Sequence, residues 1–345
     1  MFHLKRRDVF FIFLSLPLQI SLCLMKNYIF IFILSLFMAC PLFAQETATP
    51  RSGEGISTFL QRFGRTKKQH TEQFIELNKG KLTKGNGLKL GVKYILPPLA
   101  EESYEPLFGK KLARYTVTSN ELNGACFYLV GGHGGPDPGA IGLYHGKQLH
   151  EDEYAYDIIL RLARNLLTRG AKVHIIIQDA KDGIRNDKCL ANSSRETCMG
   201  APIPLNQLER LKQRCDKINS LYTKDKESYK RAVFIHVDSR GEGQQTDVFF
   251  YHCPGSKLGK RLAETVHKTF DKKYDKHQPS RGFNGTVSER GLYVLRNAAP
   301  VSVFLELGNI QNKRDQQRLV LSDNRQALAN WVCEGLVTDY KASRK

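Results

Sequence analysis

After residue 44 the sequence has no long apolar run, so a bundle of membrane helices is excluded for the rest of the chain. Proline is sparse, at 13 residues in 345, while 19 Phe and 14 Tyr supply large packing groups, a balance that excludes an intrinsically disordered chain. The 28 glycines follow no three-residue period, which excludes a collagen-like fibre. No motif for reading DNA or RNA accompanies the basic residues, which are scattered among acids, so nucleic acid is not expected as a partner. Acidic residues are the scarcer charge: 34 Asp and Glu stand against 52 Lys and Arg, a formal net charge of +18. The length suffices for one large domain or two smaller ones with real cores.

Two apolar runs occupy the first 44 residues, Val9 to Leu24, broken by Pro17, and Tyr28 to Ala44. Met25-Lys26, the apolar stretch Ile29 to Met38, and Leu42-Phe43-Ala44 before Gln45 follow the order of a signal peptide, with Met25 as its start. The expectation is an exported protein, periplasmic or in the cell envelope. It would meet the membrane only through uncleaved apolar segments or a lipid on Cys40. Residues 45–345 carry +15, a charge suited to anionic envelope polymers. They also hold six cysteines, for which disulfides are allowed but not required; Cys189 and Cys198 are the pair that proximity suggests.

Residues 51–98 carry ten basic and three acidic side chains and read as a small module. Ile56, Phe59, Leu60 and Phe63 have helical spacing, Gly64 stops that helix, Phe74, Ile75 and Leu77 mark a second, and Leu88 to Leu96 alternates like a strand. A first strand around Arg51 to Gly55 would complete a βααβ unit. Through Gly53-Glu54-Gly55, the helix end Phe59 to Gly64, Glu76-Leu77-Asn78 and Leu88-Lys89-Leu90-Gly91, this stretch resembles the LysM peptidoglycan-binding repeat. A packing module that binds nothing is the alternative. Residues 99–123 have no sustained period and read as a linker.

From Gly124 to about residue 340, strands and helices alternate. Strands are expected at Cys126 to Val130, Lys172 to Gln178, Ala232 to Asp238, Asp247 to His252, Leu292 to Leu295 and Ser302 to Leu305. Helices are expected at Asp152 to Thr168, Asn206 to Leu221, Lys257 to Phe270 and Arg325 to Leu336. This order predicts an α/β fold: a three-layer, twisted, mostly parallel sheet with helices on both faces, preceded by the small α+β module. In such sheets ligands collect outside the carboxyl ends of the strands.

Four residues stand at those ends. His133 sits in Gly131-Gly132-His133-Gly134-Gly135, where glycine permits close backbone approach. Glu151 opens a helix beside His150, Asp152 and Glu153, a place where carboxylates also gather simply to complement the helix dipole. His236 interrupts the apolar run Val233-Phe234-Ile235 and is followed by Asp238, and Glu306 ends the last strand. Two histidines and a carboxylate from separate strand ends suit a catalytic zinc, and a further glutamate could move a proton in amide hydrolysis. A structural pairing of Glu306 with Arg296 is the alternative.

Residues 126–340 resemble the zinc-dependent N-acetylmuramoyl-L-alanine amidases of the type 3 cell-wall hydrolase family. The matching segments are Gly132-His133-Gly134-Gly135 with Asp137-Pro138-Gly139-Ala140-Ile141-Gly142, the helix opened by Glu151, Ile235-His236-Val237-Asp238, and Leu292-Tyr293-Val294-Leu295-Arg296-Asn297 leading to Leu305-Glu306-Leu307-Gly308. The resemblance implies one zinc on His133, Glu151 and His236, with Glu306 as the catalytic carboxylate. It implies a six-stranded sheet, and peptidoglycan as substrate, cut between the lactyl group of N-acetylmuramic acid and L-alanine of the stem peptide. It leaves room for an activator protein as a partner. Two departures are Val130 where the family has an Asp, and an enlarged segment, residues 180–205, expected as a lid or inhibitory loop tied by Cys189 and Cys198. A silent wall-binding scaffold, or a zinc peptidase or deacetylase acting elsewhere on the wall, are the competing functions.

Overall fold

The computed structural model describes residues 46–66, 68–97 and 102–344 and divides into two compact units, Met1–Leu99 and Ala100–Lys345. The apolar segments and signal peptide expected over residues 1–44 lie outside the described residues. Among the described residues, no helix is long and apolar enough to cross a membrane.

In the first unit, β1 (Thr47–Ala48), the helices Ile56–Gln61 and Lys68–Leu77, and β2 (Tyr94–Ile95) follow in order, with β1 antiparallel to β2. Phe59, Leu60, Phe74, Tyr94 and Leu96 form its core, the rings of Phe59 and Phe74 meeting edge to face at 5.7 Å. The first strand lies ahead of residues 51–55 because Gly53 adopts φ +82° and turns the chain there. The second is shorter than Leu88 to Leu96 because Gly91, at φ +75°, breaks the extended path. Asn78 then fixes the strand, its amide donating to the Ile95 carbonyl and its oxygen accepting from the Ile95 N–H, both at 2.9 Å.

The second unit opens with β3 (Glu102–Tyr104) and β4 (Arg114–Thr116), which pair antiparallel around the turn Pro106–Phe108. Phe108 and Leu122 are buried in its larger core, so residues 102–123 are not a free linker but packed structure. Next come β5 (Ala125–Gly131), the hairpin β6 (Ile141–Tyr144) and β7 (Lys147–His150), and the helix Glu151–Leu167. β8 (Lys172–Ile175), β9 (Ile177–Gln178), β10 (Thr197–Cys198), β11 (Ala201–Pro202) and the helix Gln207–Lys224 follow. The rest is β12 (Tyr229–Asp238), β13 (Phe249–His252), the helix Lys257–His277, β14 (Thr286–Glu289), the helix Tyr293–Asn297, β15 (Val301–Asn309), and the helices Lys313–Val320 and Ser322–Ser343.

The main sheet has six strands in the order β14-β13-β15-β12-β5-β8. β8, β5, β12 and β15 are mutually parallel, whereas β13 runs antiparallel to β15 and carries β14 parallel to itself. Side chains alternate between two cores, as a sheet covered on both faces requires. Phe127 and Leu129 of β5 and Val233 and Ile235 of β12 face one core, with Leu162, Val266 and Leu336 from three helices. Tyr128 and Val130, with Ala232 and Phe234, face the other, with Ile218, Val294 and Leu295. The run Leu292 to Leu295, expected as a strand, starts a helix instead, its apolar side chains filling the second core while β14 takes the sheet edge. A short apolar run carries no period that separates these outcomes.

The 180–205 segment is fastened throughout. β10 and β11 extend β9 into a small three-stranded sheet. Asp157, fully buried, accepts from Arg161 Nε at 2.8 Å, Arg325 Nε at 2.6 Å and the Arg185 N–H at 2.8 Å, joining two helices to the segment. Ser193 N–H donates to Glu153 at 2.6 Å, and Glu196 accepts from the Gly135 N–H at 2.8 Å. The segment is thus a support beneath the His133 turn rather than a hinged cover. Cys198 lies in the second core and Cys189 packs against the first, so the expected pairing does not form; the six described cysteines are free thiols.

Two outcomes follow. Asp157→Asn, which leaves Arg325 buried without its counter-charge, should cost about 3–5 kcal/mol in denaturant unfolding. Unreduced, denatured protein comprising residues 45–345 should titrate six free thiols; four would restore a disulfide.

Candidate active site

The carboxyl ends of β5, β12 and β15 bring His133, His236 and Glu306 to one place, and the start of the helix Glu151–Leu167 brings Glu151 there. His133 follows β5 in a left-handed conformation, φ +59°, with Gly134 at +99° and Gly135 at +65° carrying the turn onward. Two glycines are needed for contact rather than conformation alone. A Cβ on Gly132 would lie 2.4 Å from His236 Cε1, and one on Gly139 would lie 2.7 Å from Glu151 Oε2.

Glu151 is the first residue of its helix and its carboxylate bridges the two imidazoles. Oε2 lies 3.2 Å from His133 Nε2 and accepts from the Ala140 N–H at 2.9 Å. Oε1 lies 2.8 Å from His236 Nδ1 and accepts from the Val237 N–H at 3.0 Å. The rings of His133 and His236 meet at 4.9 Å between centroids, and one donor atom from each of His133, Glu151 and His236 falls within 4.8 Å of the others. His236 is stacked on Phe304 at 4.3 Å.

Neighbours missed by the sequence reasoning tune this group. Asp137 Oδ2 lies 2.8 Å from His133 Nδ1 and 2.7 Å from Arg210 Nη2, while the Arg214 guanidinium donates to the His133 carbonyl. The spacing His133 to Asp137 within one glycine-rich turn was the available signal; nothing local marked Arg210 or Arg214. Burial opposes a charge on His133, yet Asp137 and then Glu151 outweigh it and push its pKa up to about 10. Burial also opposes ionisation of Glu151, but its hydrogen bonds to His133 and His236 hold the carboxyl well below the usual range. Burial lowers His236. The resulting cation, anion and neutral ring form a balanced set whose proton a divalent metal could replace.

The donors suit zinc: two imidazoles and one carboxylate, clear of Cβ atoms, with Asp137 orienting one ring. His150 is not part of the group; it occupies the N-cap position with its ring buried. Asp238 pairs with Arg240 instead.

Glu306 lies beside His236 in the parallel register of β12 and β15. Its Oε2 is buried without a hydrogen-bond partner, and no ion pair to Arg296 forms among the described residues. Burial first, then the charges of Glu151 and Asp238, raise its pKa well above that of an ordinary carboxylate. Below the unfolded carboxyl's pKa, near 4.5, both states are protonated and no penalty exists. As pH rises above it the unfolded chain ionises first, and stability falls toward the folded pKa. In metal-free protein, Glu306→Gln should therefore raise the thermal midpoint at pH 7 relative to wild type, with the difference vanishing near pH 4.

Comparison with known proteins identifies the family of the chain. Residues 128–338 match the sequence model of the N-acetylmuramoyl-L-alanine amidase family. A germination-specific N-acetylmuramoyl-L-alanine amidase of Bacillus subtilis is 22% identical over 238 residues, 66% of this chain and 87% of that protein. An uncharacterized cell wall amidase of Bacillus anthracis is 26% identical over 230 residues, covering 65% of this chain but 37% of its own length. An N-acetylmuramoyl-L-alanine amidase structure from Clostridium difficile 630 is similar with a TM-score of 0.46 at 20% identity, over 65% of this chain and 100% of that one. With the family model spanning more than half of the sequence, the chain belongs to the N-acetylmuramoyl-L-alanine amidase family.

Proposed function

We propose that the protein is an exported, zinc-dependent peptidoglycan amidase that cuts between the lactyl carbonyl of N-acetylmuramic acid and L-alanine of the stem peptide. The observation that carries this is the buried, unpartnered Oε2 of Glu306 set beside a group of two histidines and one glutamate. His133, Glu151 and His236 would hold the metal. When bound, zinc supplies Lewis-acid polarisation of the scissile carbonyl and brings the pKa of a water toward neutrality.

The chain's own groups do the rest. Asp137 accepts from His133 Nδ1 and so presents Nε2 toward Glu151. Glu306 takes a proton from the attacking water and delivers it to the alanine nitrogen. The new carbon–oxygen bond forms first, as water adds to the carbonyl; the carbon–nitrogen bond breaks once the nitrogen is protonated, and the products are a lactyl carboxyl and a free amine. The raised proton affinity of Glu306 suits the second half of this role, holding a proton at Oε2 until the amine leaves; the first half needs the ionised carboxylate, which the positive charge of a bound metal would favour.

The first unit serves as a LysM-like tether in this reading. Even weak glycan binding turns the second contact into an intramolecular one. Residues 1–44 would direct export, and the +15 charge on residues 45–345 favours an anionic wall.

The test is incubation of the purified protein with isolated sacculi, with and without chelator, and mass analysis of what is released. Chelator-sensitive release of stem peptides beginning at alanine, leaving intact muramic-acid glycans, is expected. Glu306→Gln should lower kcat about 10²- to 10⁴-fold while wall binding persists. Sacculi bound but never cut would instead indicate a scaffold.

A further inference from the structure

A cleft of about 970 Å³ opens between the hairpin β6–β7 and the loops that follow β12 and β15, and none of its lining residues belongs to the catalytic group. One wall is the hairpin β6–β7. It leaves from Ala140, whose N–H donates to Glu151, and returns directly into Glu151. This hairpin is seated on the end of the Glu306 strand: a Cβ on Gly142 would lie 2.2 Å from the Ile310 carbonyl oxygen, and Gln316 donates to the carbonyls of both Leu143 and Ile310. The opposite wall is the loop after β12, tied down by Gly241 N–H to Gln311 at 3.1 Å and Asn312 to the Glu242 carbonyl at 2.8 Å. The cleft is therefore framed by the same strand ends that carry His236 and Glu306.

Its chemistry is mixed. Ile141 and Leu143, 42% and 65% exposed, give an apolar wall, and Lys313 and Arg314 stand exposed at one end. Neither cation makes a salt bridge among the described residues, although Arg318 on the same helix is spent on Asp247 and Asp315. Lys313 and Arg314 are also the first two residues of the helix Lys313–Val320, where the helix dipole disfavours positive charge. Stability of the fold does not account for two unpaired cations there, whereas an anionic ligand in the cleft does.

We infer that this cleft seats the stem peptide, with Ile141 and Leu143 against its alanine side and Lys313 and Arg314 reading the free α-carboxylate of the acidic second residue. This rests on the amidase reading above and adds to it a substrate preference. The glycan side of the scissile bond offers no competing charge, because the carboxyl of muramic acid is consumed in the amide. Walls in which that second residue is amidated lose the anion, so the site discriminates free from amidated peptides. Glu242 on the facing loop is the acid among the lining residues, and it leaves the pair Lys313 and Arg314 in excess.

The experiment compares two soluble substrates, N-acetylmuramoyl-L-alanyl-γ-D-glutamyl-L-lysinamide and its counterpart with D-isoglutaminyl in place of γ-D-glutamyl, in which the γ-carboxyl is consumed in a peptide bond and only the α-carboxylate differs, by steady-state kinetics of zinc-loaded protein. Wild type should favour the free acid at least about tenfold in kcat/KM, with the difference in KM. The double variant Lys313→Gln, Arg314→Gln should bring the ratio close to one by raising KM for the free acid. Lys147→Glu, an equally exposed charge change at the hairpin tip outside the cleft lining, should leave the ratio unaltered. A ratio near one in wild type, a ratio retained in the double variant, or one lost equally in Lys147→Glu would overturn the subsite and leave the amidase intact. Cleavage of neither substrate by wild type would overturn the amidase reading itself, and the subsite with it.

Discussion

The catalytic end of this protein is organised by one carboxylate. Glu151 joins two histidines that arrive from different strands, and its oxygens also accept two backbone N–H groups, from Ala140 and Val237. A buried carboxylate is tolerable only when its charge is answered, and here His133 answers it in the metal-free state. Displacing Glu151 by one position along the helix would turn its side chain about 100° away and leave both imidazoles facing a void. Gly132 and Gly139 serve the same constraint, since each gives way to a ring or carboxylate that a methyl group would strike.

The scaffold holds that arrangement from two sides. From the sheet, parallel pairing of β12 with β15 sets Glu306 level with His236, close enough for the charges of Glu151 and Asp238 to raise its proton affinity. From beneath, the 180–205 segment holds the His133 turn through Glu196 and is itself pinned by Asp157, Arg161 and Arg325. A long segment without regular period is thus fixed largely by buried charge, and it gives rigidity to the turn that carries His133.

Much of this was legible in the residues. Continuous apolar runs such as Val233-Phe234-Ile235 marked strands buried on both faces, and the 3.6-residue spacing of Ala155, Ile158, Ile159, Leu162 and Leu166 marked a helix. His133, His236 and Glu306 could be singled out because imidazoles and carboxylates are costly at apolar strand ends; Glu151 opens a helix, where the dipole alone explains a carboxylate, and it was marked only by the family resemblance. The Leu292 to Leu295 helix was not legible, since four apolar residues fit either state. Nor were Arg210, Arg214 and Arg325, whose partners lie 73 to 168 residues away. The proximity of Cys189 and Cys198 in sequence misled because they face different cores. The hairpin β6–β7 was missed because its pattern is inverted: apolar Ile141 and Leu143 are exposed while Gly142 between them is buried.

The central claim is that His133, Glu151 and His236 form one divalent metal site. Calorimetric titration of zinc into metal-free protein at neutral pH, repeated in buffers of different ionisation enthalpy, tests it most directly. One equivalent should bind with release of the proton held by His133, and Glu151→Gln, still folded by circular dichroism, should lose at least about 100-fold in affinity. Zinc binding of unchanged stoichiometry and affinity in Glu151→Gln, or none in wild type, would contradict the account.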